Sequence, residues 1–419
     1  MSLLFDKYRE KNKIIYKVLG IKIRVNEGDS FFKLVLRKVL SVYRKIQIKI
    51  FVNKNKEYYN QKNLIRKRLF LTTGNISLIN AIATIRQENN NCEQYEDYLY
   101  VQSININQEF INFSQKIAAL HNFKKVYFFT NDKAFKTMSE SKDLIIKDLI
   151  DLKLYDIDEI YAVNIIQFIN IVNILYKSIP CCYIEESAFG TFSKGHYQNV
   201  QKFIMPTYLD KIDNRGFSDS EKNKFVNLKS EYFIQVADEC VKMYPLNIDC
   251  APEDKIIIFC GTWGDLQCYT ESEFAQKEEE IIEKLQNKGF VVYFKPHPRD
   301  NREYKETANF KILKTKLPLE CYVINNLVAT VSLLSFSSLQ SFHYRKVPGF
   351  VCLNYFELKD EKALTLLSEY TPSVDLILDI NTNEYSLQAL KNEVTRRYLD
   401  FLNSKPMLSK NATFDKFNK

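Results

Sequence analysis

Histidine is nearly absent from this chain: 419 residues carry four, His121, His196, His297 and His343. Imidazole titrates near physiological pH, so any role for it in proton transfer has few places to sit. Cysteine occurs nine times but never as a CxxC pair, and the odd count offers no disulfide framework. That usage predicts reduced, mostly buried thiols and a cytoplasm-like compartment. No window of about 18 uncharged apolar residues exists, so no transmembrane helix is expected. The N-terminus lacks the sustained apolar stretch of a signal peptide. There is no GxGxxG or Walker pattern, no internal repeat, and no DxD motif placed for a metal clamp.

What is present is enough apolar material for two or three domains, at 46% hydrophobic residues. The net charge of +8 is unevenly distributed. The first 68 residues hold 19 Lys/Arg against 5 Asp/Glu, a net of +14, while the other 351 carry a net of −6. Within the basic end, residues 30–52 place Phe32, Val35, Val39 and Val42 near one another at helical spacing. Lys33, Arg37, Arg44 and Lys45 fall largely elsewhere around the helix. A basic amphipathic helix reads as a membrane-surface element, and a helix packed on the body with its cations solvated is the competing reading. No nucleic-acid module accompanies the charge, so nucleic acid is not an expected partner.

From residue 68 onward, apolar strand-like runs alternate with helical ones: RLFLTT, DYLYVQS, KVYFFT, IDEIYAVN and PCCYIEES, each of the first four followed by an amphipathic stretch. Residues 188–254 are less regular and include a candidate linker at 243–255. Alternation resumes with KIIIFCG, VVYFKPHP, FKILK, NLVATVSLL and GFVCLNY. The pattern predicts parallel, doubly wound sheets, in which ligands bind beyond the carboxyl ends of the strands.

Four polar clusters lie at such ends. Glu185, Glu186 and Ser187 follow the fifth strand; pleating turns one glutamate toward a cleft, as a candidate general base, and the other away. Either could instead cap the next helix. GTWGD, beginning with Gly261 and Thr262, supplies a Gly-rich turn suited to nucleotide contact. In YFKPHPRD (293–300) two prolines hold His297 rigidly between Lys295 and Arg299, a set able to bind a phosphate and give it a proton. Ser337 and Ser338 stand where a helix begins, able to cap it or to meet an anion.

KPHP after a strand, paired serines at a later helix start and an acidic pair in the first half together resemble the bacterial sialyltransferases. The similarity is to glycosyltransferase family 52, the lipooligosaccharide sialyltransferases, and to the polysialyltransferases of family 38, over roughly residues 68 to 355. It implies an α/β GT-B architecture, two Rossmann-like domains with parallel sheets facing a cleft, here with a basic helical N-terminal segment. The expected divisions are 1–67 (membrane-surface segment), 68–245 (acceptor and base domain) and 246–419 (nucleotide-sugar domain). By position, Glu186 matches the general base, His297 and Pro298 the HP motif that meets the CMP phosphate, and Ser337 and Ser338 the pair that holds its oxygens. Gly261, Thr262 and Lys295 fall on the nucleotide side; Glu185, Thr73 and Asn75 are acceptor-side or supporting candidates. In the family a glycine follows the acidic pair, whereas here Ser187 does, with the glycine delayed to Gly190.

The implied activity is inverting transfer of sialic acid from a CMP-sugar to a hydroxyl of a bacterial surface glycan, lipooligosaccharide or capsule. A monophosphate leaving group needs no metal, and no cofactor is expected. The implied partners are a nucleotide-sugar donor, a glycan or glycolipid acceptor, and the anionic cytoplasmic face of the inner membrane through residues 30–52. Two other readings stand beside it. One is a GT-B transferase with another donor, such as CMP-Kdo, CDP-glycerol or a hexose nucleotide. The other is a non-catalytic partner in polysaccharide assembly.

Overall fold

The structure is a computed structural model that describes residues 5–10, 13–18, 21–26, 31–59, 65–89, 95–102, 108–129, 138–163, 166–185, 200–205, 223–261, 270–296, 300, 302–333, 344–355 and 371–404. The basic end differs from the helical segment expected there. It begins as an antiparallel three-stranded sheet, β1 (Phe5–Glu10), β2 (Lys13–Val18) and β3 (Ile21–Asn26). The reason is a period of two hidden under the charge, with Ile21, Ile23 and Val25 alternating with Lys22 and Arg24.

The expected helix follows as α1 (Phe31–Tyr59), longer than residues 30–52. Its second half packs on the body. Phe51 is buried against the rings of Tyr155 and Tyr176, and Asn55 Nδ2 donates to the Leu175 carbonyl at 2.6 Å. Arg44, expected among the solvated cations, pairs with Asp143 instead. The opposite side leaves Val42, Tyr43, Ile46 and Ile50 exposed, at 40%, 58%, 52% and 53%. No helix among the described residues is long and apolar enough to cross a membrane.

Two parallel sheets form the body, the α/β arrangement expected for GT-B. The first has seven strands: β4 (Arg66–Thr73), β5 (Tyr95–Gln102), β6 (Lys125–Phe128), β7 (Glu159–Val163), β8 (Cys181–Ile184), β9 (Val200–Met205) and β10 (Phe225–Asn227). Their order is β10-β9-β8-β7-β4-β5-β6. Helices α2 (Gly74–Glu88), α3 (Gln108–Ala118), α4 (Met138–Asp151) and α5 (Ile166–Leu175) alternate with its strands. Strands β9 and β10, with α6 (Ser230–Met243), correct the expectation of irregular chain over 188–254.

The second sheet has five strands, β11 (Ile256–Cys260), β12 (Val291–Lys295), β13 (Phe310–Ile312), β14 (Leu327–Ser332) and β15 (Gly349–Val351), in the order β13-β12-β11-β14-β15. All five residues of β11, IIIFC, are buried, as a strand covered on both faces requires. Each such side chain contributes about 1.5–3 kcal/mol. Helices α7 (Glu271–Asn287) and α8 (Leu387–Ser404) belong to this half, with α8 burying Leu390, Val394 and Tyr398.

The two halves meet through their carboxyl edges. Asn75, just past β4, donates from Nδ2 to the Lys316 carbonyl at 3.5 Å, and Lys316 Nζ lies 3.1 Å from Glu109 at the start of α3. Leu317, Cys321 and Tyr322, from the connection between β13 and β14, join the core formed by α2, α6 and the first sheet. At the opposite, amino edge of the first sheet, Arg68 is buried in a two-pronged pair with Asp97 (2.6 and 2.9 Å) and lies 3.8 Å above the Tyr95 ring. Burial would push the Asp97 carboxyl up, but hydrogen bonds from His121 and Arg68 hold it below its usual range.

Candidate functional site

The register of the second sheet aligns the strand ends that precede three polar clusters of the sequence. Cys260 is paired in register with Lys295 on one side and with Ser332 on the other. The segments that begin at Gly261, at Pro296 and just past Ser332 therefore leave from neighbouring strands at one carboxyl edge.

Gly261 is needed there for space. Its amide donates to the Lys295 carbonyl at 2.9 Å, and a Cβ would stand 2.8 Å from Phe294 Cζ and 3.3 Å from that carbonyl. Lys295 is half-buried at the end of β12. Beside it is a residue that the sequence did not single out, Glu320, which is 4% exposed in the short 3-10 turn Leu319–Cys321. Burial raises the Glu320 carboxyl above its ordinary range, while its own amide and Lys295 pull it back. The Cys260 thiol, in the same field, is pushed up to about 11 by burial, with Lys295 opposing and Glu320 adding. A lone glutamate inside the apolar run LPLECYV was the available signal for Glu320.

The other end of the KPHPR segment is anchored by Asp300. Its carboxyl accepts from Arg302 N and Nε, both at 3.0 Å, from an Arg302 terminal nitrogen at 2.7 Å, and from the Tyr304 hydroxyl at 2.5 Å. Arg302 also reaches buried Glu278 on α7 at 2.6 Å. Burial would raise the Asp300 carboxyl, but these bonds hold it at about 2. The described residues on either side of His297 are thus a sheet strand before it and a fixed carboxylate, Asp300, after it.

In the first sheet, Thr73 occupies the N-cap of α2 in extended geometry, its hydroxyl 3.1 Å from that of Ser77. Gly74 then turns the chain at φ 68°, which favours glycine. Asn75 faces the second sheet's connection through Lys316; among the described residues, its Oδ1 is buried without a hydrogen-bond partner. Glu185 is buried; its amide donates to the Ile204 carbonyl at 2.9 Å, and the Tyr183 hydroxyl donates to its Oε2 at 3.4 Å. It shares the sheet face of Tyr183, not that of Cys182 and Ile184. Glu186, Thr262, His297, Pro298, Arg299, Ser337 and Ser338 lie outside the described residues.

Among the described residues, no group of three or more His, Cys, Asp or Glu side chains is gathered as a metal site requires. Chemically, the described edge offers a cation at Lys295, a close-packed glycine at Gly261 and a buried carboxylate at Glu320, so an anionic group could meet the cation there.

No family model matches the sequence, and no curated protein matches it. Solved structures do. A UDP-N-acetylglucosamine 2-epimerase aligns over 81% of this chain and 96% of its own, at 9% identity and TM-score 0.49. The UDP-GlcNAc 2-epimerase of Methanocaldococcus jannaschii aligns over 81% and 93%, at 13% identity and TM-score 0.45. CalG4, the calicheamicin glycosyltransferase, aligns over 84% and 97%, at 10% identity and TM-score 0.44. These similarities concern outline and carry nothing over about activity.

Proposed function

We propose that the protein is an inverting, metal-independent glycosyltransferase that moves sialic acid from a CMP-sugar to a hydroxyl of a bacterial surface glycan, lipooligosaccharide or capsule. The observation that carries this reading is the register that sets Cys260, Lys295 and Ser332 side by side, because it supports a common phosphate site for the segments bearing His297 and the Ser337–Ser338 pair. Residues 68–245 would hold the acceptor and the base, and 246–419 the donor.

In the proposed step, the Glu186 carboxylate takes the proton of the acceptor hydroxyl while its oxygen attacks the anomeric carbon. The bond from that carbon to the CMP phosphate oxygen breaks, and the electron pair leaves with the phosphate. Protonated His297, Lys295 and the hydroxyls of Ser337 and Ser338 stabilise the growing charge, the type of help worth about 10²–10³-fold per donor. Backbone groups at Gly261 and Thr262, with Pro298, shape the nucleotide side, and buried Glu320 acts on the site through the charge of Lys295. Burial of Glu185 on the Tyr183 face favours Glu186 as the base. The contact of Asn75 with Lys316 supports Thr73 and Asn75 as residues lining the acceptor side.

The cytoplasmic face of an anionic inner membrane is proposed as the working surface. Support comes from the exposed Val42, Tyr43, Ile46 and Ile50 flanked by exposed Lys45 and Lys49 on α1.

The test is turnover with CMP-sialic acid in EDTA. Transfer should persist, with inversion at the anomeric carbon. A strict Mg²⁺ or Mn²⁺ requirement, or turnover only with a nucleoside diphosphate sugar, would sink this reading in favour of another donor.

A further inference from the structure

Arg345 follows the 334–343 segment and precedes β15, outside every motif quoted from the sequence. Its side chain is 10% exposed and its guanidinium serves three acceptors. Nε donates to the Glu320 carbonyl at 3.2 Å, and one terminal nitrogen donates to both the Cys321 carbonyl and Asp238 Oδ1, the latter at 2.7 Å. Asp238 lies on α6, a helix whose Phe233, Val236, Ala237 and Cys240 pack into the core of the seven-stranded sheet. The neighbouring Tyr344 stacks on Phe233, centroids 3.6 Å apart at 15°. One side chain therefore grips the turn that carries buried Glu320 and ties it to the other half of the protein.

We propose that Arg345 is a positioning residue for the donor site. It holds the 3-10 turn so that Glu320 stays beside Lys295, and through Asp238 it couples that turn to the half bearing the acceptor. The planar fork can satisfy two carbonyls and a carboxylate at once, whereas a lysine ammonium is a point charge on a flexible stem. Lys316 and Tyr322, on either side of the turn, also bond to the first half, at Glu109 and at the Tyr244 carbonyl. The turn is thus pinned from both halves.

This inference rests on the donor site being at this edge, so its test has one readout that needs no nucleotide. Amide hydrogen exchange over residues 313–322 is compared in ligand-free wild type, Arg345→Lys and Asp238→Asn, followed by steady-state kinetics with CMP-sialic acid. Arg345→Lys should speed exchange over that stretch and raise donor KM about tenfold with kcat within about threefold, as loss of hydrogen bonds from a charged donor would. Asp238 is half exposed, at 53%. Asp238→Asn should therefore fold normally and shift both readouts in the same direction but less. Wild-type exchange and wild-type KM in either variant would overturn the proposal, and so would a loss confined to kcat. If wild type turns over no CMP-sugar, the donor reading fails, and unchanged exchange in the variants would still refute the clamp on its own.

Discussion

Asp300 accepts four hydrogen bonds and is held at about 2 against an ordinary 3.8, so its charged form stabilises the fold. Because the folded value is the lower one, the contribution is present above about pH 4 and lost as pH falls through about 2. Acid unfolding of Asp300→Asn and wild type should differ in stability at pH 5–7, and the gap should close between about pH 4 and pH 2. A gap that is constant across that window would contradict the assignment. Among the glutamates, Glu186→Gln should abolish transfer yet leave CMP binding nearly unchanged. Glu185→Gln, at a buried and bonded position, should cost no more than about tenfold in turnover, the worth of one supporting hydrogen bond. Reversed effects in this assay would make Glu185 the base, and two silent variants would remove the acidic pair from the mechanism. At this scale the positions of Gly261 and Lys295 at neighbouring strand ends were legible because each ends an apolar run. Arg345 and Asp238 were not, since they are 107 positions apart and only folding brings them together.

At the level of elements, α1 has one docked and one exposed face. Phe51 and Asn55 dock it on the body, while Val42, Tyr43, Ile46 and Ile50 face outward among lysines. Near an anionic leaflet each lysine is worth about 1 kcal/mol, and each inserted isoleucine adds about 1.5–3 kcal/mol. The full chain should therefore sediment with phosphatidylglycerol vesicles and not with purely zwitterionic ones. The double substitution Ile46→Asp, Ile50→Asp should abolish that sedimentation without lowering the melting temperature. Unchanged sedimentation of the double variant would show that this face is not the contact. Strands such as IIIFC and LVATVS were readable because burial on both faces demands continuous apolar residues. β9, with exposed Gln201 and half-buried Lys202, and the three-residue β10 at the sheet edge carry no such run. β1 to β3 escaped for a different reason: they are short and charged, and a clean alternation of apolar with basic residues appears only in β3, where Ile21, Ile23 and Val25 alternate with Lys22 and Arg24.

Across the whole molecule, a basic end of net +14 precedes a body of net −6. Two parallel sheets meet at their carboxyl edges through Asn75, Lys316 and Glu109. In the proposed division of labour, the second sheet would gather the segments that meet the donor and the first would supply the acceptor side. The central claim is that the second half recognises a cytidine monophosphate. Its most direct test is thermal melting of the full-length protein with CMP, UMP, CDP and UDP at equal concentration. A nucleotide at a hundredfold excess over its Kd stabilises the folded state by about 2.7 kcal/mol. CMP should raise the melting temperature more than the other three, and His297→Ala should reduce that rise. A larger rise with UDP or CDP, or none with any nucleotide, would contradict the account.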